Sequence, residues 1–200
     1  FSAISREVLM TERKAKKLAR KVAIDSSVFD QTGCASPHNL YIERGGEVSP
    51  KEFCTLLAEG MNKAAIQIPK GVDSIEQISA IHSIRGLYDF KGEVWASEDA
   101  TWTVLYSEDK KLNPPVYSRV IMVHPIDHID ETLEYVDENI QTIGLSSSGL
   151  KALKFAEKAV EKGVMRCPEI GRMLNFESPW DGIILMDRMV RWSTFGGPLI

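Results

Sequence analysis

The chain has 200 residues, 44% hydrophobic and 26% charged, with a net charge of −4. A chain of this length and apolar content can bury a sizeable core without staples, and its acidic balance disfavours a nucleic-acid partner. No apolar run approaches the ~18 residues of a membrane span and no signal-peptide pattern is present, so a cytoplasmic protein is expected.

The amino-terminal "FSAIS" reads as a short buried strand. Ala15, Leu18, Ala19, Val22 and Ala23 then recur at i, i+3, i+4, i+7 and i+8, the apolar stripe of an amphipathic helix. The Lys/Arg run "RKAKKLARK" at 13–21 falls on that helix and reads as its solvated face rather than a phosphate-binding patch. The pattern fades at Ser26-Ser27, and the turn "DQTGC" leads into a strand, "HNLYIE", closed by Gly45-Gly46. Ser49-Pro50-Lys51-Glu52 is a capping box with proline at the first helical position. The helix it opens should bury Phe53, Leu56, Leu57, Met61 and Ala64. Asp73 and Glu76 are expected to cap the next helix, with Ile75, Ile78 and Ile81 inward.

After Gly92 the pattern becomes β-rich. "EVWAS" and "TWTVLY" flank a polar turn and predict a hairpin that either protrudes or extends a sheet edge. "NPP" at 113–115 precedes the strand "VYSRVIMV". Asp130 can cap a helix whose stripe is Ile129, Leu133, Val136 and Ile140. "TIGLSSS" is a further strand, and "GLKALKFAEKAVEK" a helix stopped by Gly163. "VMRCP" is short and extended, and the aromatic-rich remainder is less regular. Strands alternating with helices predict a layered α/β domain, a mostly parallel central sheet flanked by helices with the hairpin as an extension, spanning 1–200 as one unit.

The cysteines are Cys34, Cys54 and Cys167; their odd number and the lack of any CxxC argue against a disulfide framework or a zinc site and for a reducing compartment. Cys54 lies on the apolar side of its helix and Cys167 before a proline, both structural positions. Cys34 stands apart, in "DQTGCASPH", a turn flanked by small residues. A buried, inert thiol is one reading. An exposed nucleophile is the other: Gly33 and Ala35 leave room for a substrate carbonyl, and backbone N–H groups of such a turn can face a developing oxyanion. His38, four residues on, is a candidate base for the thiol. His124 and His128 are four apart, but Pro125 breaks a helical metal pair, so they are expected on the surface or in loops. No Gly-rich phosphate loop is present; "GLSSSG" lacks the spacing. "GRMLNFESPWDG" gathers Arg172, Glu177, Trp180 and Asp181, and is either an irregular packed segment or, through Glu177 and Trp180, the lining of an acyl pocket.

Taken in order, three blocks resemble the aldehyde dehydrogenase superfamily, and more closely its acyl-CoA reductase branch, the reductase component of the bacterial luciferase fatty-acid reductase complex. Gln31-x-x-Cys34 is similar to the superfamily's nucleophile turn, and the Ser-Pro after the cysteine to the reductase branch's version of it. "NPPVYSRVIMVHPIDHIDETLEYVDENIQTIGLSSS" is similar to the superfamily's strand–helix–strand, and "GRMLNFESPWDG" with "MVRW" to the branch's carboxyl-terminal signature. The resemblance covers nearly the whole chain and implies the catalytic domain alone, without the amino-terminal cofactor-binding domain, so that the fragment by itself would not reduce. It implies a Cys34 nucleophile in an oxyanion turn formed with Gln31, Gly33 and Ala35, and an acyl-cysteine reduced to a long-chain aldehyde by hydride from NADPH on the absent domain. It also implies acyl-CoA or an acyl donor protein as partner, acyl-transferase and synthetase partners, and a homo-oligomer. One departure stands out: the superfamily's Glu-x-Phe-Gly-Pro, whose Glu holds the nicotinamide ribose, is replaced here by "LNPPVY". Two other readings stay open, a cofactor-independent cysteine acyltransferase or thioesterase, and a non-enzymatic oligomerisation domain.

Overall fold

In the computed structural model residues 1–180 and 182–197 are described. The six strands are β1 Ser2–Ile4, β2 Asn39–Glu43, β3 Glu93–Ala96, β4 Thr103–Tyr106, β5 Val120–Ile126 and β6 Gly144–Ser146. They form one sheet in the order β3-β4-β5-β2-β1-β6. Every neighbouring pair is parallel except the β3–β4 hairpin. The hairpin therefore extends the sheet edge rather than protruding.

Helices cover both faces, which is what a parallel sheet requires. On one face lie α1 Glu12–Asp25 and α2 Pro50–Gln67, whose Leu18, Val22, Phe53 and Leu57 meet Leu40, Ile42, Ile121 and Val123 of the sheet. The alternate residues point the other way. Leu105, Val120 and Met122 pack under Ile81 and Tyr88 of α3 Ile75–Lys91. Ala3 and Tyr41 pack with Ile129 and Leu133 of the segment after β5 and with Phe155 of α4 Gly149–Glu161. Small residues set how closely α1 and α2 approach: a β-carbon on Gly60 would sit 3.1 Å from the Ala19 carbonyl oxygen and 3.2 Å from the Ala23 β-carbon.

Local signals place most boundaries. The Ser49 hydroxyl accepts from Glu52 N at 3.2 Å and the Glu52 carboxylate accepts from Ser49 N at 2.8 Å, closing the capping box of α2. Gly163, with φ +106°, follows α4 in a conformation that disfavours any other residue. Four expectations need correction. Ser74, not Asp73, caps α3 by accepting from Gln77 N at 3.2 Å, because Asp73 is drawn away to Lys70 and Ser118. Ile75 and Ile78 are exposed, and the buried stripe of α3 is Ile81 and Tyr88. The segment Ile129–Tyr135 is a 3-10 helix capped by His128, while Asp130 pairs with Lys158. The strand expected from Val116 starts at Val120, because Tyr117, Ser118 and Arg119 all take left-handed φ.

Candidate active site

Between α1 and β2 the backbone does something costly. Phe29, Asp30 and Gln31 have φ of 54°, 48° and 64°. Non-glycine residues in this region lose about 1–2 kcal/mol each, so outside bonds must fix them. Asp30 provides most of these. Its carbonyl accepts from Ser118 N at 3.0 Å, its Oδ1 from Arg119 Nε at 2.7 Å, and its Oδ2 from Gly71 N at 2.9 Å. Gln31 is wholly buried, and its amide donates to the carbonyls of Pro37 at 2.7 Å and Val120 at 3.0 Å. Gln31 thus ties the loop to β5 and serves the turn as an anchor.

The chain then makes a tight turn, with Ser36 N donating to Gly33 O at 2.9 Å. Cys34 is its second residue and is exposed, whereas Ala35 is buried beneath it. Among the described residues neither the Cys34 nor the Ala35 N–H enters a hydrogen bond, so both are available to an incoming oxygen. Gly33 matters for a packing reason: a β-carbon there would lie 3.1 Å from Leu174, which covers the turn.

Cys34, Gly33 and His38 line a cleft of about 540 Å³. It opens beyond the amino-terminal ends of β1, β2, β5 and β6, since its walls come from residues immediately preceding those strands. Open α/β sheets usually bind ligands at the opposite, carboxyl ends. Leu112, Pro114, Pro115 and Ile140 give the cleft an apolar wall. That wall is fixed to β2 by a reciprocal pair: Asn113 N donates to Asn39 Oδ1 at 3.1 Å, and Asn39 Nδ2 to Asn113 O at 2.9 Å.

His38 is half-buried, with its ring edge-on to Tyr117 at 5.1 Å and its Nδ1 without a partner among the described residues. Burial pushes its pKa down to about 4, so the ring is neutral at pH 7. It shares the cleft with Cys34 but makes no hydrogen bond to it among the described residues, and so weak a base draws a proton from a thiol poorly. His124, expected at the surface or in a loop, is instead fully buried on β5. Its Nδ1 lies 2.5 Å from Asp109 O and its Nε2 3.0 Å from Asn39 Oδ1, and burial keeps it neutral. Its sequence neighbours, Val123 and Pro125, hid a position set by the β2–β5 register.

Glu177 and Trp180 do not line the cleft. Trp180 lies against Phe176 and stacks on the Arg166 guanidinium at 3.9 Å, and Glu177 is exposed. Asp181 falls outside the described residues. What this segment brings to the site is Leu174. Cys54 is fully buried and its thiol is pushed far up by burial, while Cys167, half-buried, is raised to about 11. The α1 basic run is a solvated face: Arg13, Lys14, Lys17 and Arg20 are exposed, and Lys16 and Lys21 pair with Glu59 and Glu169. One charged cluster was invisible in the sequence. Glu43, fully buried at the carboxyl end of β2, accepts from Arg6 N at 2.9 Å, Ile129 N at 2.8 Å and Lys151 Nζ at 2.7 Å. Burial alone would raise its pKa, but Lys151 and the two N–H groups hold it below the usual range. It lies at the end of the sheet away from Cys34 and cross-links β2 to its neighbours.

A nicotinamide dinucleotide does not fit these residues by themselves. Among the described residues no carboxylate lines the cleft to hold a ribose, and Leu112, Asn113, Pro114 and Pro115 form its wall.

Residues 2–192 match the family described as Acyl-CoA reductase (LuxC). The long-chain acyl-protein thioester reductase of Vibrio harveyi is 27% identical over 188 residues, covering 92% of this chain and 38% of that protein. Its counterpart in Photorhabdus luminescens is 28% identical over 190 residues, covering 90% and 38%. The chain thus spans about 38% of the length of these curated relatives. Among solved structures, a 1-pyrroline-5-carboxylate dehydrogenase from Thermus thermophilus superposes with a TM-score of 0.60 at 17% identity, over 84% of this chain and 35% of that one. An indole-3-acetaldehyde dehydrogenase from P. syringae, solved with NAD+, gives 0.63 at 11% identity, over 84% and 37%. At such identities these two show the fold, that of aldehyde dehydrogenases.

Proposed function

This chain belongs to the acyl-CoA reductase (LuxC) family, and from that premise we propose that residues 1–200 form its catalytic thiol domain and that Cys34 accepts a long-chain acyl group as a thioester. The observation that carries this reading is an exposed thiol at the second position of a tight turn, flanked by two unengaged N–H groups and opening on a 540 Å³ cleft with an apolar wall.

The Cys34 thiolate attacks the carbonyl carbon of an acyl thioester, acyl-CoA or an acyl-protein. The electron pair of the carbonyl moves onto oxygen, where the Cys34 and Ala35 N–H groups stabilise it. When the tetrahedral species collapses, the donor's thiolate leaves with the C–S electron pair and takes up a proton. One thioester replaces another, so the exchange is nearly balanced and needs no activation of the acyl group. The apolar wall of Leu112, Pro114, Pro115 and Ile140 receives the first carbons of the chain. The neutral His38 lines the cleft as a polar group, not as the proton acceptor. In the whole protein NADPH, held by a separate cofactor-binding domain, would supply the hydride that takes the Cys34 thioester to the long-chain aldehyde. A fatty-acid reductase assembly, with transferase and synthetase partners, would supply the acyl group.

Intact mass spectrometry after incubation with a long-chain acyl-CoA tests the domain's step. The expected result is one acyl adduct, mapped to Cys34 and missing in Cys34→Ala. An adduct that persists in Cys34→Ala, or none on the native chain, overturns the reading.

A further inference from the structure

We propose that Arg119 is a positioning residue for the Cys34 thiol, acting through Asp30; this rests on the reading of Cys34 as the nucleophile. Two left-handed triplets, Phe29–Gln31 and Tyr117–Arg119, meet face to face. Strained residues in two segments 89 positions apart persist only where the surroundings over-determine them. Here the over-determination runs through one buried cation. Arg119 is 1% exposed. Its Nε and Nη2 both grip Asp30 Oδ1, at 2.7 and 2.6 Å, and its Nη1 donates to Ile68 O at 2.9 Å. Asp30 in turn holds Gly71 N and Ser118 N.

The next residue, Gln31, carries that fixation into the nucleophile turn. Its amide bridges Val120 O, directly after Arg119, and Pro37 O, directly after the turn. Arg119, Asp30 and Gln31 therefore bracket Gly33–Ser36 from both sides. Three donors in a fixed plane suit guanidinium and not ammonium. A buried cation that touches neither the cleft nor solvent, yet bonds the segment carrying the thiol, has positioning as its consequence. Loosening it would let Gln31 relax out of its left-handed conformation, turning the Cys34 N–H and Sγ away from the cleft while leaving the core intact.

The internal control is Cys54, fully buried in α2. Asp30→Asn keeps the shape but loses the charge, and Arg119→Lys keeps the charge but loses the fork. Both variants, in the full chain, are treated with iodoacetamide and separately with a long-chain acyl-CoA from pH 6 to 9, and modification at Cys34 and Cys54 is followed by mass spectrometry. The expected result is at least tenfold slower Cys34 modification in Asp30→Asn by both reagents, with an altered pH profile, a smaller loss in Arg119→Lys, and Cys54 still protected. Cys34 rates within twofold of native in both variants overturn the proposal. So does slowing that appears only where Cys54 becomes reactive, because the role would then be purely structural. If native Cys34 takes no acyl group but its alkylation still depends on Asp30 and Arg119, the acyl reading falls and the positioning role stands.

Discussion

Asp25, the last residue of α1, sits 2% exposed with one oxygen 2.5 Å from Gly171 N. Burial raises its pKa from 3.8 to about 6, against the opposing effect of the Gly171 and Met173 N–H groups. A folded-state pKa above the unfolded one means that the native state binds the proton more tightly, so this group favours folding below about pH 4. That contribution is lost as pH rises through about 6. A shift of about two units corresponds to about 3 kcal/mol in all, of which roughly 2 kcal/mol falls between pH 4 and pH 7. An asparagine at this position would not titrate. The stability difference between Asp25→Asn and the native chain should therefore rise in favour of the variant by roughly 2 kcal/mol from pH 4 to pH 7, whatever constant offset the changed hydrogen bonds add. Urea denaturation at half-unit pH intervals measures it, and carboxylates common to both proteins cancel. A difference that stays flat with pH, or that falls, would refute the reasoning. Because Asp25 holds the segment that lays Leu174 over Gly33, the same series should show unchanged Cys34 alkylation wherever the Gly171 bond survives.

Three further outcomes are expected. Gly92→Ala places a β-carbon 1.9 Å from the Tyr106 carbonyl oxygen, so the β3–β4 hairpin must part and stability should fall by about 3 kcal/mol or more in urea titration; a loss under about 1 kcal/mol would contradict the hairpin geometry. Glu43→Ala leaves the Arg6 and Ile129 N–H groups without an acceptor, while Lys151 keeps Glu7, and should cost about 2–4 kcal/mol at neutral pH. Its depressed pKa means that the native chain loses this contribution as pH falls through it, so the gap should narrow in acid. In His38→Asn the pH dependence of Cys34 alkylation between pH 5 and 8 should match the native chain, since a group near 4 is already neutral throughout; a step near pH 6.5 that vanishes in the variant would restore His38 as a base.

Elements whose signals lie within a few residues were legible from the chain alone. The apolar stripe of α1, the capping box of α2, the β3–β4 hairpin and the stop at Gly163 are all local patterns, and all stand in the structure. Small residues around Cys34 marked an open turn, and the resemblance of Gln31-x-x-Cys34 to a family's nucleophile turn is what suggested a chemistry for it. Burial of partners far apart in the chain was not legible. Ile75 and Ile78 have helical spacing, but α3 meets the sheet through Ile81 and Tyr88, and its first turn leaves both isoleucines exposed. His124 became a buried hydrogen-bonded residue because β5 lies beside β2, which sets it opposite Tyr41. Asp30 finds Arg119 across 89 residues, and Asp25 finds Gly171 across 146. Such pairings depend on the strand order, which places the turn before β2 against the residues that lead into β5. Periodicity and capping are properties of neighbours in sequence, whereas the field around a buried charge is made by neighbours in space. The thiol could therefore be named from its own turn, but what holds that turn in place came only with the packing of distant segments around it.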